Sequence, residues 1–327
     1  MRVVIAVGGN AMTSADGSAR PEEQQAAIEV AVEPIADLIC AGHQVVLTHG
    51  NGPQVGNLLV KNELAASVVP PVPLDWCGAQ TQATVGLLIL NALDRALAAR
   101  NSQARTAVVV SRTEVAADDP AFSAPSKPIG RYLSRADAAV MTGHGQHWQD
   151  RGERGWRRVV ASPEPLRCLD APAVVALLAA GFAVVCSGGG GIPVVADGSP
   201  GGYRGVEAVI DKDLTAALLA DALAADRLVI ATDVEHAVLG WGTDSATPLA
   251  GVDVDDLEAL IAEGAFASGS MAPKVTAACR FTRQSGKPAA ITSLSKIADA
   301  LAGVAGTIVR PAPSRPGRPA GADGPSA

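Results

Sequence analysis

Short runs of β-branched and aliphatic residues recur along the chain at 3–7, 44–47, 106–110, 183–186, 227–231, 289–292 and 307–309, and each reads as a strand. Between them the apolar positions change to helical spacing. The first such stretch opens at Pro21, carries Ile28, Val32, Ile35 and Ile39 on one stripe and stops at Gly42. Further helices are expected over 85–100, 173–180, 214–225, 255–263 and 275–284. Strands that alternate with helices imply a mostly parallel open sheet with helices on both faces, an α/β three-layer αβα sandwich. From about 113 to 165 the rhythm fails among Pro, Gly, Arg and Asp, which predicts an inserted, partly exposed subdomain within one domain spanning 1–310. Residues 311–327 hold hardly an apolar anchor and are expected to be a disordered tail.

Composition sharpens this picture. With 48% hydrophobic but only 3% aromatic residues, the core must be built from Ala, Val, Leu and Ile, which suits buried parallel strands. A net charge of −7 with no basic block leaves no nucleic-acid footprint, so a small-molecule partner is expected. The longest apolar run, 85–93, is interrupted by Asn91 and falls short of the ~20 residues that cross a bilayer. The chain opens on a strand without a signal-peptide pattern, and the expected location is cytoplasmic. Cys40, Cys77, Cys168, Cys186 and Cys279 are widely spaced and read as buried reduced thiols.

Three glycine-rich loops each follow a predicted strand: Gly8-Gly9-Asn10, Gly50-Asn51-Gly52, and Gly188-Gly189-Gly190-Gly191. Ligands of open parallel sheets sit beyond the carboxyl ends of the strands, so these loops should share one crevice. Glycine there bares backbone N–H groups that can cradle phosphate oxygens. Neither G-x-x-x-x-G-K-[ST] nor a G-x-G-x-x-G after the first strand is present, which excludes a P-loop and counts against a Rossmann dehydrogenase.

The chain prefers Arg, so its few lysines stand out. Lys127, Lys212 and Lys274 lie among Gly and Pro at element boundaries, where a compact ammonium could follow a phosphoryl group in transit. Lys61, Lys287 and Lys296 are assigned to solvent. Asp211 and Asp213 flank Lys212; Asp213 is read as a helix cap, and Asp211 as the group that pins an ammonium or supports Mg²⁺. His144 and His147 are read as solvated loop residues. His49 has two open readings, a phosphoryl donor or a structural hydrogen bond, and Arg157 and Arg158 are open between an anion clamp and a basic surface patch.

The strings GGNA, THGNGPQVGN, SKPIG, GWRRVV with SPEP, CSGGGGIPVV, GVEAVIDKD and GSM-A-PK follow one another between residue 8 and about residue 309. In this order and spacing they resemble the carbamate kinases of the amino-acid-kinase family. The resemblance implies an αβα sandwich with a small protruding subdomain, a homodimer, and interconversion of MgATP plus carbamate with ADP plus carbamoyl phosphate. It implies that Gly8, Gly9, Asn10, Gly50 and Asn51 hold carbamate and the moving phosphoryl group. Lys127 and Lys212 would stabilise the transition state, with Asp211 orienting lysines. Lys274, Asp233 and the loop of Gly188, Gly189, Gly190 and Gly191 would contact ATP. Carbamate is already an anion, so no general base is required. Two positions depart from the family: Ala161 replaces a common Pro, and Glu235, His236 and Ala237 stand where an aromatic often borders adenine. The alternatives are a different small carboxylate as acceptor, or a non-catalytic sensor of nucleotide or carbamoyl phosphate.

Overall fold

The computed structural model describes residues 1–9, 20–266 and 271–312. Along the chain come β1 (Arg2–Val7), α1 (Pro21–Cys40), β2 (Gln44–His49), α2 (Gly52–Ala65), α3 (Leu74–Ala99), β3 (Arg105–Val108) and β4 (Arg112–Val115). Then follow α4 (Pro120–Ser123), β5 (Lys127–Leu133), α5 (Arg135–Thr142), β6 (Trp148–Asp150), β7 (Trp156–Val160) and β8 (Pro165–Cys168). The next elements are α6 (Ala171–Ala179), β9 (Phe182–Val185), β10 (Ile192–Ala196), β11 (Tyr203–Gly205), α7 (Lys212–Ala222) and β12 (Arg227–Thr232). Last come β13 (Ala237–Leu239), β14 (Thr247–Leu249), β15 (Gly251–Asp253), α8 (Val254–Ala262), α9 (Ala272–Ser285), β16 (Ala289–Ser293), α10 (Ile297–Leu301) and β17 (Thr307–Arg310).

Eight strands form the main sheet in the order β15-β17-β16-β12-β1-β2-β9-β3. Strands β3, β9, β2, β1, β12 and β16 are parallel; β17 runs antiparallel to β16 and carries β15 parallel to itself. The buried aliphatic residues of these strands divide by alternation. Val4, Ala6, Val46, Val184, Leu228 and Ile230 face one core with α6, α7 and α9. Val3, Ile5, Val45, Leu47, Val185 and Val229 face the other with α1, α3 and α10. The three layers expected from the sequence are therefore present.

The segment between β3 and α6 is more ordered than its composition suggests. Strands β4 and β8 pair with each other and join β10 and β11 in a four-stranded sheet. Strands β5, β7 and β6 form a separate antiparallel sheet, with α5 packed on it through Ala138 and Met141. This second sheet delivers Lys127 to the cleft.

Some expectations change. The helix expected from 85 begins at Leu74, and α2 was not foreseen. Cys40 is exposed, so only the other four cysteines are buried thiols. Lys287 is not free in solvent: its ammonium donates to Ala224 O, Ala225 O and Asp226 Oδ1 behind the C-terminus of α7. Among the described residues no helix is long and apolar enough to cross a membrane. Asn10 and nearly all of the expected 311–327 tail lie outside the described residues.

Candidate active site

The carboxyl ends of β1, β2 and β12 open onto one cavity of about 390 Å³. Its wall carries Gly8 and Gly9 after β1, Gly50 and Asn51 after β2, and Thr232 and Asp233 at the end of β12. The first two loops touch. Gly50 N–H donates to Val7 O at 3.0 Å, and a Cβ on Gly50 would lie 2.6 Å from Gly9 N, so any side chain at that position would part the loops. The N-termini of α2, α7 and α9 point into the same space with Gly52, Lys212 and Pro273, and Lys127 closes it from β5. The positive ends of three helix dipoles make the region favourable for an anion before any side chain is counted.

Two lysines run against that field. Lys212 is the first residue of α7 and Lys274 lies in the first turn of α9, where a cation near the positive end of the helix dipole costs about 0.3–1 kcal/mol. Asp213 offsets this cost. Its carboxylate accepts from Lys212 Nζ at 2.5 Å and from Lys274 Nζ at 2.9 Å, and only 5% of the side chain is exposed. Burial pushes the Asp213 carboxyl up, but the two ammonium groups outweigh it and hold it below the usual carboxylate range. Burial lowers Lys212 despite Asp213, with the neighbouring Lys274 charge adding to the effect. Burial likewise lowers Lys127 against the attraction of Asp211 and Asp213.

The expected roles of the two aspartates are exchanged. Helix α7 begins at Lys212, two residues earlier than expected, so Asp211 is its cap: Oδ1 accepts from Asp213 N at 2.9 Å and Leu214 N at 3.3 Å. Asp213, expected as the cap, instead clamps two lysines. Asp211 retains part of its expected position, since its Oδ2 lies 3.9 Å from Lys127 Nζ.

The four glycines also divide. Gly189 lines the cavity, whereas Gly191 lines an adjoining one. Gly188 and Gly190 are buried and line neither: a Cβ on Gly188 would collide with the His49 ring, and one on Gly190 would meet Ile210 O at 2.7 Å. His49 is fully buried beneath this loop, and its Nδ1–H donates to Gly50 O at 2.9 Å. Burial pulls the imidazole down to about 4, so at neutral pH it is an uncharged structural donor that does not line the cavity.

A buried polar network that the sequence did not reveal fixes the loop. Gln82 Nε2 donates to Ser111 O and Gly188 O, its Oε1 accepts from Ser111 N, and Ser111 Oγ accepts from Ser187 N. Thr48 Oγ1 donates to Ser187 O, and Thr215 Oγ1 to Gly190 O. Asn51 is oriented by its own donation to Thr81 Oγ1 at 2.9 Å. Such residues carry no motif; only their burial in the fold gives them meaning.

Beyond Asp233 a smaller hollow of about 140 Å³ shares Thr232, Asp233 and Lys274 with the main cavity. Val234, Val238, Met271 and Trp241 complete it. An aromatic side chain, absent at 235–237, is present in this hollow as Trp241, while Ala237 is buried in β13. Arg158 is neither clamp nor surface patch: it is buried and pairs with Glu207. Arg157 lines the adjoining cavity, and His147 a third one beside Arg158.

Comparison with known proteins gives a consistent result. The model of the amino acid kinase family matches residues 1–293. The carbamate kinase of Trichomonas vaginalis is 41% identical over 313 residues, covering 95% of this chain and all of the relative. A carbamate kinase-like protein of Escherichia coli K12 is 42% identical over 310 residues, covering 93% and 97%. Among solved structures, carbamate kinase from Giardia lamblia bound to AMP-PNP aligns with a TM-score of 0.90 and 39% identity, over 95% of this chain and 98% of that one.

Proposed function

The chain belongs to the amino acid kinase family, and we propose that its cleft passes a phosphoryl group between ATP and carbamate, giving ADP and carbamoyl phosphate reversibly. One observation carries this reading: Lys127, Lys212 and Lys274, from three distant parts of the chain, meet in one cavity walled by bare glycines and helix N-termini. That is the arrangement a phosphoryl group requires when little covalent work is left to the protein. In the direction of ATP formation, a terminal oxygen of ADP attacks phosphorus, the bond from phosphorus to the carbamoyl oxygen breaks, and carbamate leaves as an anion. No proton need be taken from the nucleophile, so none of the lysines has to act as a base.

The residues divide the task by position. Gly8, Gly9, Gly50 and Asn51 would hold the acceptor side through backbone N–H groups and the Asn51 amide. Lys212 and Lys127 would follow the charge as it moves across the equatorial oxygens. Lys274 and Gly189 would hold the nucleotide phosphates, with the base directed past Asp233 towards Trp241. The inserted segment at about 113–165 would act as the protruding subdomain, its β5–β7 sheet carrying Lys127 over the cleft.

A magnesium ion fits this set as a group brought by the nucleotide. Asp213 is occupied by two lysines, while Asp211 Oδ2 and the Asp233 carboxylate remain at the wall for waters around a phosphate-bound cation. When bound, it would neutralise negative charge on the phosphate oxygens. The expected homodimer has a candidate face in exposed Leu64, Val68, Val69 and Trp76 around the junction of α2 and α3, and the cytoplasm remains the expected compartment.

The deciding assay supplies ADP, Mg²⁺ and carbamoyl phosphate and measures ATP. The expected result is ATP formation that falls with Lys212→Ala by about 10²–10³ in kcat, the usual effect of removing one transition-state donor. ATP formed equally well by that variant would overturn the assignment. If acetate or N-acetylglutamate were phosphorylated from ATP and carbamate were not, the acceptor would have to be reassigned.

A further inference from the structure

A second cavity of about 480 Å³ opens beside the first and shares Asn51, Gly52, Pro53, Lys127, Gly189 and Val209 with it. It extends between α2, the start of α3 and the β5–β7 sheet. Its far wall is largely apolar, formed by Val55, Leu74, Pro128, Ile129, Pro193 and Ala208. A space of this size falls within the roughly 300–1,000 Å³ that holds metabolite-sized ligands. Carbamate is far smaller, so the proposed reaction leaves this space unexplained.

Two features argue that the cavity is kept open. Gly56 lies within α2 and Gly78 within α3, where glycine costs roughly 0.5–1 kcal/mol relative to alanine. Neither is required by contact, because a Cβ on either would meet nothing within 4 Å, and both line the cavity. The other feature is a cation. Arg157 lines the cavity and pairs with no carboxylate among the described residues. Its guanidinium rests 5.0 Å from the Tyr132 ring centroid, Nη1 donates to Tyr132 Oη at 3.4 Å, and its buried Nε has no hydrogen-bond partner. A planar fork with unused donors at the rim of an apolar space is suited to a carboxylate on an apolar body.

We propose that this cavity is a second small-molecule site, which binds carboxylates bearing an apolar chain and, through the shared wall at Asn51 and Lys127, excludes the phosphoryl acceptor. The carboxylate lies on Arg157 and the chain on Val55, Leu74 and Ile129. An occupant there competes with carbamoyl phosphate and not with the nucleotide.

Hexanoate serves as the probe, with hexylammonium and hexanol as cationic and neutral controls. Binding to the full chain is read by ligand-observed NMR without nucleotide or carbamoyl phosphate, so it is independent of the phosphotransfer reading. Inhibition of ATP formation then tests the competition, which does rest on that reading. Hexanoate is expected to bind more tightly than either control. Arg157→Met is expected to weaken it about ten- to a hundredfold, the loss of charge-assisted hydrogen bonds. Gly78→Leu, which fills the cavity while improving helix propensity, is expected to abolish binding of all three probes. Equal binding of hexanoate and hexylammonium, no binding of hexanoate, or unchanged affinity in either variant would overturn the site. Binding without competition against carbamoyl phosphate would overturn the coupling.

Discussion

The clamp at Asp213 offers the most direct test of how the cleft works. Replacing Asp213 with Asn preserves its shape and one acceptor oxygen but removes the charge that two nearly buried ammonium groups share. The side chains of Lys212 and Lys274 are only 14% and 13% exposed, so solvent screens them poorly. Removing one partner from a buried ionic cluster costs about 3–5 kcal/mol. Part of that cost is avoidable, because Lys212 already lies below its usual range through burial and can lose its proton. The stability loss is therefore expected to be smaller than that limit. The rate bears the remainder: with Lys212 neutral, one cation is missing from the transition state, worth about 2.7–4 kcal/mol, or about 10²–10³ in kcat.

This reasoning has a signature that simple misfolding lacks. In Asp213→Asn, kcat for ATP formation should recover as pH is lowered, because protonation restores Lys212. ADP should also stabilise the variant against denaturant more than it stabilises the parent, since phosphate oxygens replace the missing carboxylate. The assay is the pH profile of kcat with saturating ADP and carbamoyl phosphate, together with denaturant unfolding with and without ADP. A folded Asp213→Asn enzyme with parental kcat and an unmoved alkaline limb would refute the role of the clamp.

Other perturbations test neighbouring parts. His49 is held neutral at about 4 against a reference of 6.5, so the unfolded chain binds the extra proton; stability should begin to fall as pH drops below about 6.5, by about 2 kcal/mol at pH 5. Comparing denaturant midpoints with His49→Gln isolates this contribution, and an identical pH slope in both proteins would remove it. Trp241→Ala should raise KM for ADP about tenfold if the base stacks on the indole, with kcat little changed; initial-rate kinetics with ADP varied would show otherwise if KM stayed put. Gly50→Ala should cost about 1–3 kcal/mol in denaturant unfolding, because the added methyl meets the backbone of Gly9 and not a yielding side chain.

What could be read from the chain follows from the range of the forces involved. The strands of the main sheet are buried on both faces, so their sequences are almost wholly aliphatic and announce themselves locally. Helix α2 does not, because Gly52, Gly56, Asn57 and Asn62 break its pattern and packing beneath the β5–β7 sheet holds it instead. The antiparallel entry of β17 is equally silent, since Thr307, Ile308 and Val309 would be buried equally well in either direction. In the cleft, the glycines and lysines were legible because their residue types are unusual for their surroundings. The division of work between Asp211 and Asp213 was not, because either can cap a helix and a shift of two residues in where α7 starts decides which one does. That small shift matters because side chains in the first turn of a helix lean back towards its N-terminus. Starting the helix at Lys212 turns the carboxylate of Asp213 into the cleft, where Lys274 from α9 reaches it. The start of one helix thus determines whether two distant lysines are held together where a phosphoryl group would pass.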